Sequence, residues 1–259
     1  MTHLPLSAVL ITKNEAEVIA TTIKALLLLT DDVVVVDSNS TDKTVQIAQD
    51  LGARVFVQDW LGYGPQKNFA NSKAKYDWIL SIDADEVIEN ELVDAINDLF
   101  SKTVQENEVF KIKRRTVYEG KLLKYGSLIN EKHIRFFNRK SAKWSDGDVH
   151  ETLDLADNVV QKMIPNGAIL HYSYRNLGEH EGKIDNYTNL YAKKAFKKGK
   201  KVNFVKLYLS APFKFVKDYF FRFGFLDGKL GLKVARLNFR YDWLKYRKLR
   251  SLYLNQSLK

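Results

Sequence analysis

Two aspartates separated by one residue, Asp83 and Asp85, stand where an apolar run ends in a predicted turn. Carboxylates on a short turn are the hard oxygen ligands that Mg²⁺ and Mn²⁺ prefer, and either ion can bridge the phosphates of a nucleotide diphosphate. The pair therefore predicts a metal site that also holds a nucleotide. The alternative is an acidic turn or helix cap, which needs no ligand.

A third carboxylate, Asp37, ends a run of four valines, Val33–Val36. At the end of a buried strand it can accept a hydrogen bond from a nucleotide base or a ribose hydroxyl. In the alternative, Asp37 has a structural role and caps the turn that follows, through Ser38, Asn39 or Ser40. The chain contains no cysteine, so a thiolate metal site and a disulfide framework are both excluded.

The first hundred residues alternate short β-branched runs with longer helical segments, which is typical of βαβ units around a parallel sheet. We predict strands at residues 7–11, 32–37, 54–58 and 78–82, and helices at 15–28, from 41 to about 52 and from 65 to about 74. Parallel sheets bind ligands beyond the carboxyl ends of their strands. The polar segments 12–15, 37–40 and 83–86 all fall there, so we expect them to lie close together.

The predicted secondary structure changes twice in the rest of the chain. Short strand-like runs at 109–116, 133–137 and 168–172 indicate a mixed extension of the sheet, and from residue 176 the sequence reads mainly as helices. We therefore predict an α/β fold with a Rossmann-like, mostly parallel central sheet flanked by helices. Residues 1–175 would form the catalytic domain, with a nucleotide-binding half at 1–105 and an acceptor-side half at 106–175, and 176–259 a basic helical extension.

Three segments resemble family 2 glycosyltransferases in order and spacing: SAVLITKNE at 7–15, VVVVDSNSTD at 33–42 and DADE at 83–86. The resemblance implies a GT-A fold, a UDP-sugar donor and bound Mg²⁺ or Mn²⁺. It implies that Asp85 holds the metal together with Asp83. It also implies a set of residues that bind the nucleotide sugar: Thr12, Asn14, Glu15, Asp37, Ser38, Lys67, Asp83 and Ala84. For Lys67 the alternative is an ordinary solvated helix lysine.

A second resemblance concerns the remainder of the chain. The segments VHE at 149–151, HYSY at 171–174 and FLDG at 225–228 are similar to the branch that contains the lipopolysaccharide-core β-1,4-glucosyltransferases. This similarity implies an inverting transfer of glucose or a related hexose to a lipopolysaccharide-core or other lipid-linked glycan.

An inverting transferase needs a general base for the acceptor hydroxyl, and Glu151 is the candidate that the sequence offers. The commoner family pattern takes its base from a Glu-Asp pair at a helix start, and we find no such pair in the expected region. The alternative for Glu151 is a surface carboxylate.

Histidines and arginines complete the polar candidates. His150 and His171 can each complete the metal coordination, or serve as hydrogen-bonded structural residues. Arg135 and the pair Arg114 and Arg115 can contact phosphate or an anionic acceptor, or form surface ion pairs.

Charge is distributed unevenly along the chain. Residues 193–259 carry 19 Lys and Arg against three Asp, a net charge of +16, whereas residues 1–192 carry −6. The basic residues alternate with aromatic ones, as in FKFVKDYFFRF at 213–223, which is typical of helices that lie in the headgroup layer of an anionic membrane. The alternative is packing against the catalytic core or against a second copy of the chain, in a homo-oligomer. Nucleic acid is disfavoured, because no nucleic-acid-binding motif accompanies the charge.

The N-terminus lacks the basic and apolar regions of a secretory signal, and no run approaches the roughly 18 apolar residues of a spanning helix. We therefore expect a cytoplasmic enzyme, peripheral on the inner face of the cytoplasmic membrane.

Two other functions are alternatives to glycosyl transfer. A sugar-phosphate nucleotidyltransferase normally has a Gly-rich, Arg-containing loop after its first strand, and TKNE at 12–15 has no glycine. A membrane-surface adaptor with a degenerate transferase fold would keep the shape without the chemistry.

Overall fold

The structure of the protein is a computed structural model, and it describes residues 4–129, 131–145, 152–174 and 176–257. The strands run in chain order as β1 Leu6–Thr12, β2 Asp32–Asp37, β3 Arg54–Val57, β4 Trp78–Asp83, β5 Glu86–Ile88, β6 Glu108–Tyr118, β7 Lys121–Leu122, β8 Glu131–Asn138, β9 Ala142–Trp144, β10 Leu153–Leu155, β11 Val160–Met163 and β12 Ile169–Tyr174. The helices are α1 Ile19–Leu26, α2 Thr44–Asp50, α3 Tyr63–Lys73, α4 Asn90–Phe100, α5 Leu177–Lys197, α6 Phe204–Tyr208, α7 Ser210–Val216 and α8 Gly228–Ser257. A π-helical turn (Lys217–Phe221) and a 3₁₀ turn (Gly224–Asp227) separate α7 from α8.

One mixed sheet organises the fold, in the strand order β3-β2-β1-β4-β8-β6-β12-β5, with β7 and β11 paired to β6. Strands β3, β2, β1 and β4 are parallel, whereas β8 is antiparallel to both β4 and β6. Strands β9 and β10 form a separate hairpin. The predicted α/β class with a Rossmann-like core and flanking helices is confirmed.

The central strands form because β-branched residues favour extended backbone and can be buried on both faces of a parallel sheet. Alternate side chains of β2 enter different clusters: Val33 and Val35 pack with Leu10 and Leu80 on one face. Val34 and Val36 pack with Val9 and Ile79 on the other. The register pairs Thr12 with Asp37 and Ile11 with Asp83, so three strands end at one edge.

Helix α1 begins later than predicted, at Ile19 instead of residue 15. The segment before it is held by hydrogen bonds to the loop after β2. The backbone N–H groups of Asn14, Glu15 and Ala16 donate to side chains of Ser40, Thr44 and Asp42, respectively. These bonds tie residues 14–16 to that loop, and the chain turns into the helix only after them.

The chain separates into two compact units, one of Met1–Arg115 with Asn130–His171 and one of Thr116–Ile129 with Tyr172–Lys259. In the second unit a cluster of Tyr118, Ile184, Val234 and Leu237 joins α5 to α8. No helix within the described ranges is long and apolar enough to cross a membrane. The domain boundary proposed after residue 175 stays a prediction, because compactness does not establish independent folding.

Candidate active site

The loops after β1 and β2 hold each other in place. Asn14 and Asn39 both take left-handed backbone conformations, with φ of 56° and 58°, which asparagine tolerates better than most residues. The N–H of Ser38 donates to the carbonyl of Thr12 at 2.9 Å. The side-chain oxygen of Asn14 accepts from the N–H of Thr41 at 2.8 Å. Asn14 therefore fixes the loop that follows Asp37.

Asp37 is almost fully buried at the end of β2, and both of its carboxylate oxygens accept hydrogen bonds from Ser40. The backbone N–H of Ser40 is 2.7 Å from Oδ1, and its hydroxyl donates to Oδ2. The turn-capping alternative for Asp37 is thus present in the structure. A carboxylate has about four lone-pair positions, so two bonds to Ser40 leave room for a donor from a ligand.

A buried hydroxyl lies beside Asp37 in the sheet register. Thr12 is 5 % exposed, and its Oγ1 is buried without a hydrogen-bond partner among the residues that the structure describes. The nearby hydroxyl of Ser38, by contrast, has a hydrogen-bond partner, because the side-chain amide of Gln66 donates to it at 3.1 Å. Buried polar atoms are normally hydrogen-bonded, so the unsatisfied Thr12 hydroxyl indicates a place where a ligand or a water binds.

Asp83 ends β4 between two buried cations. Nζ of Lys67 is 3.0 Å from Oδ1, and Nη2 of Arg135 is 2.7 Å from Oδ2. Lys67 and Arg135 are about 5 % exposed, whereas Asp83 keeps 30 % of its side chain exposed. Burial favours the neutral form of Asp83, but the charges of Arg135 and Lys67 outweigh this effect and hold the pKa of Asp83 well below its usual range. Lys67 also lies over the ring of Trp144, 4.7 Å from its centroid.

Glu86 is fully buried and pairs with Arg135 as well as with a further arginine, Arg114. It accepts from Arg135 at 2.8 Å and from Arg114 at 3.4 Å, and its second oxygen accepts from the N–H of Asp83 at 3.0 Å. Arg114 in turn pairs with Glu131. Because Arg135 and Arg114 share the buried Glu86, they are part of a connected network at the strand ends.

Asp85 faces a different partner, His171 of β12. Its Oδ2 lies 3.2 Å from Nε2 of His171, and both side chains are about one-fifth to one-quarter exposed. The antiparallel pairing of β12 with β5, which sets His171 opposite Glu86, brings them together. Between the two aspartates, Ala84 is buried, and its carbonyl accepts from the Thr22 hydroxyl at 2.9 Å, which fixes the turn.

A carboxylate is a suitable ligand for Mg²⁺ or Mn²⁺, and a neutral imidazole can add a nitrogen ligand to Mn²⁺. Within the described residues no group of three or more acidic, histidine or cysteine side chains forms a complete metal site. An ion held by Asp85 and His171 would need further ligands, which could come from substrate oxygens, from water, or from the predicted ligands Asp83 and His150.

Two of the predicted site residues, His150 and Glu151, lie outside the described residues, so their roles stay predictions. Glu15 follows the left-handed Asn14, and its N–H donates to the Thr44 hydroxyl at 2.8 Å. Sequence reasoning missed Gln66, Trp144 and the buried position of Glu86. Gln66 and Glu86 do adjoin predicted site residues, at 67 and 83–85, whereas no local signal links Trp144 to Lys67.

The second resemblance involved two further segments that the structure describes. His171, from 171–174, contacts Asp85 as described above. Asp227, from 225–228, accepts from the backbone N–H groups of Lys124 at 3.1 Å and Tyr125 at 2.9 Å, so it fixes a loop of the second unit.

Comparison with known proteins gives the following matches. The family described as Glycosyl transferase family 2 matches residues 7–155. An uncharacterized glycosyltransferase of Rickettsia typhi (strain ATCC VR-144 / Wilmington) is 35 % identical over 256 residues, which covers 96 % of this chain and 88 % of that protein. The lipopolysaccharide core biosynthesis glycosyltransferase LpsC of Rhizobium meliloti (strain 1021) is 29 % identical over 223 residues, covering 84 % of this chain and 81 % of LpsC.

Among solved structures, the crystal structure of S. aureus TarS 1-349 shares 26 % sequence identity with this chain at a TM-score of 0.39. The match covers 44 % of this chain and 36 % of that one, less than half of either.

Proposed function

The chain belongs to glycosyl transferase family 2, and from this premise we propose that it transfers glucose or a related hexose from a UDP-sugar to a lipid-linked glycan of the lipopolysaccharide-core kind. The name of LpsC, which refers to lipopolysaccharide core biosynthesis, supports this class of acceptor. Inversion at the anomeric carbon rests on the family resemblance. One observation carries the proposal: at a single sheet edge, Asp83 contacts two buried cations while Asp85 contacts His171.

The donor would bind across the ends of β1, β2 and β4. Asp37 has acceptor capacity left for a uracil N–H or a ribose hydroxyl, and the buried Thr12 hydroxyl lies beside it. Asn14, Glu15 and Ser38 belong to the loops around these two side chains, and the hydrogen bond to the Ala84 carbonyl fixes the turn that follows Asp83.

Lys67 and Arg135 supply the positive charge that a diphosphate requires. Both are held by Asp83, which is partly exposed, so a phosphate that approaches this carboxylate also approaches the two cations. Placing cations before the reaction begins stabilises the negative charge that develops on a leaving diphosphate.

Asp85 and His171 would hold Mg²⁺ or Mn²⁺, with Asp83 as the further ligand that the family resemblance implies. When bound, such an ion stabilises charge on the departing diphosphate. Glu151 would take the proton of the acceptor hydroxyl as that oxygen attacks the anomeric carbon from the face opposite the diphosphate. We assign donor binding to residues 1–105, acceptor binding to 106–175 and membrane attachment to 176–259.

A membrane surface is the partner that the second unit favours. Eleven of the 21 large apolar side chains that are exposed in the described residues lie between Phe204 and Leu226, so exposed apolar surface is concentrated in this apolar segment. Exposed lysines within or just before it are Lys197, Lys198, Lys200, Lys201, Lys206 and Lys217. The segment has one acidic residue, Asp218, which is 2 % exposed and paired with Lys214 and Arg222.

Exposed phenylalanines with a cationic rim and no exposed carboxylate match an anionic bilayer, which offers apolar tails beneath negative headgroups. We therefore place the enzyme on the inner face of the cytoplasmic membrane, attached through residues 204–226. Each lysine near an anionic leaflet adds roughly 1 kcal/mol of attraction.

The transferase proposal is tested with the purified chain, a panel of radiolabelled UDP-sugars, Mn²⁺ and a membrane extract. We expect transfer of label to the lipid fraction with one donor, and slow hydrolysis of that donor when the extract is omitted. Absence of both transfer and hydrolysis across the panel would contradict the proposal.

Calorimetry with UDP separates an enzyme from an adaptor with a degenerate fold. An enzyme of this kind binds UDP more tightly with Mn²⁺ than without it, and the difference disappears when Asp83 and Asp85 are replaced by asparagine. An adaptor shows no metal-linked binding.

A further inference from the structure

A cavity of about 410 Å³ lies within the second unit, lined by residues 127–128, the end of β12, α5, α7, Arg222 and α8. Its volume falls within the range of about 300–1,000 Å³ that is typical of small-molecule sites. None of its lining residues belongs to the donor site around Asp37 and Asp83. The cavity therefore needs an explanation of its own.

Basic side chains outnumber acidic ones in the lining of this cavity. Lys183, Lys214, Arg222 and Lys245 line it, whereas Asp242 is the one carboxylate that lines it among the described residues. Asp242 pairs with Lys245, and Lys183 pairs with Glu179 on its own helix at 2.8 Å.

The surplus of positive charge lies at Lys214 and Arg222. Both cations pair with the same buried carboxylate, Asp218, at 3.1 and 3.3 Å. Asp218 also accepts from Ser127 at 2.9 Å and Asn238 at 3.1 Å, so its acceptor capacity is used. One carboxylate balances only one of two cations, and an anion in the cavity would balance the other.

One wall of the cavity is aromatic, and lysines lie beside two of its rings: Nζ of Lys183 is 5.2 Å from the centroid of Tyr174, and Nζ of Lys245 is 5.1 Å from that of Tyr241. The ring of Tyr174 stacks on His180, with centroids 3.7 Å apart and an interplanar angle of 16°. Burial and the nearby charge of Lys183 lower the pKa of His180 to about 4, so the imidazole is neutral at neutral pH. Tyr187 and Tyr241 also line the cavity. Tyrosine combines a flat apolar face with a hydroxyl, which suits a ligand with apolar faces and polar edges.

The backbone beside Arg222 is unusual in two ways. The π-helical turn Lys217–Phe221 ends at Arg222, and Phe223 takes a left-handed conformation with φ of 58°. Close packing holds this segment, since a Cβ at Gly231 of α8 would lie 1.8 Å from the carbonyl of Gly224. Single π-helical turns and left-handed non-glycine residues recur at ligand sites, where the surrounding structure maintains them.

We propose that this cavity binds an anionic saccharide, a sugar ring that carries a phosphate or a carboxylate, as part of the glycan acceptor, so that acceptor binding extends from residues 106–175 into the helices that follow. The sugar ring would pack on Tyr174, and the anionic group would pair with Lys214 and Arg222. The inference rests on the proposed transferase function. It is supported by α7, which supplies Lys214 to the cavity and Phe213 to the apolar segment that would lie on the bilayer.

Calorimetric titration of the full chain at low salt tests the inference with three probes: glucose 6-phosphate, glucuronate and neutral glucose. We expect at least one anionic sugar to bind about tenfold more tightly than glucose, and the two anionic probes show whether phosphate or carboxylate is preferred. Arg222→Gln should weaken that binding about tenfold, Arg222→Lys should restore part of it, and Tyr174→Leu should weaken all sugars.

The matched control is Lys229→Gln, which removes one positive charge from an exposed lysine of α8 that does not line the cavity. Equal binding of glucose and both anionic sugars, or an equal loss in Lys229→Gln and Arg222→Gln, would overturn the inference. Loss of UDP binding in Arg222→Gln would overturn it as well, because the change would then reach the donor site. If UDP binds with Mn²⁺ while no sugar binds, the cavity assignment fails and the transferase function stands.

Discussion

Asp83 and Asp85 have different electrostatic surroundings, although only Ala84 separates them. Asp83 lies between Lys67 and Arg135, whereas Asp85 contacts the imidazole of His171. Two adjacent positive charges repel a divalent cation that approaches Asp83. We therefore expect Asp85 and His171 to contribute more to metal affinity than Asp83 does.

Replacing either member of the Asp85–His171 pair should weaken metal binding. We expect Asp85→Asn and His171→Ala each to lower the transfer rate on the order of a hundredfold at limiting Mn²⁺, because charge on the leaving diphosphate loses its stabilisation. Titration of Mn²⁺ against the UDP complex, followed by calorimetry, should show a weaker metal affinity in both variants. His133→Ala is the matched control, since His133 pairs with Glu131 instead. Equal Mn²⁺ affinities in His171→Ala and His133→Ala would contradict the assignment.

His180 should make the protein less stable in mild acid. Its folded-state pKa is about 4, whereas an unfolded histidine titrates near about 6.5. Between these values the unfolded chain binds a proton that the folded chain does not, so the free energy of unfolding falls as the pH is lowered through this window.

Between pH 7 and pH 4, we expect the free energy of unfolding to fall by up to about 3 kcal/mol less in His180→Gln than in wild type. Glutamine keeps a polar partner for the Tyr118 hydroxyl. Urea unfolding at intervals of pH measures the effect, with His133→Gln as the exposed control. The same dependence on pH in His180→Gln and wild type would show that His180 is not responsible.

The loops after β1 and β2 depend on one asparagine at the turn. Asn14 contributes both a left-handed backbone conformation and a side-chain oxygen that accepts a hydrogen bond from the N–H of Thr41. Two substitutions separate these contributions. Asn14→Gly loses the hydrogen bond but tolerates the backbone conformation, whereas Asn14→Ala loses the bond and is strained.

We expect Asn14→Ala to be less stable than Asn14→Gly by about 1 kcal/mol in urea unfolding, and both variants to bind UDP more weakly than wild type. The weaker binding follows because the loop that presents Asp37 would be less well fixed. If Asn14→Ala were as stable as Asn14→Gly, the left-handed conformation would not be a constraint on this loop.

The strands that carry the donor site could be predicted from sequence, because their β-branched runs are unambiguous and parallel strands end at a common edge. Val33–Val36 fixes β2, and the register then brings Asp37 next to Thr12. The start of α1 could not be predicted in the same way. The segment before it is held by side chains 26 to 29 residues further along, which accept from the N–H groups of residues 14–16.

The ion pairs around Asp83 could not be predicted from the sequence. Arg135 reaches Asp83 and Glu86 only because β8 pairs antiparallel with β4, and a shift of one residue in that register would turn Arg135 to the opposite face. Trp144 meets Lys67 from a separate hairpin, β9–β10. Such contacts are properties of the packed fold, which residue types and spacing do not encode locally.

Across the whole chain, charge and exposed apolar surface coincide in the C-terminal part. Residues 193–259 carry a net charge of +16, and residues 204–226 hold more than half of the large apolar side chains that are exposed in the part of the chain that the structure describes. A protein partner would need an acidic apolar surface to match both features, whereas an anionic bilayer supplies headgroup charge and apolar depth together.

Vesicle binding should therefore depend on exposed phenylalanines and on anionic lipid. We expect the chain to co-sediment with vesicles of phosphatidylcholine and phosphatidylglycerol but weakly with phosphatidylcholine alone, and less at high salt. The double variant Phe213→Ser, Phe221→Ser, at side chains 64 % and 73 % exposed, should lower partitioning roughly tenfold or more, because each buried phenylalanine contributes about 1.5–3 kcal/mol. Leu190→Ser, at a leucine 61 % exposed on α5, is the matched control. Equal loss in both variants, or conversion of a dimer to a monomer by the double variant, would show that lipid is not what covers this surface.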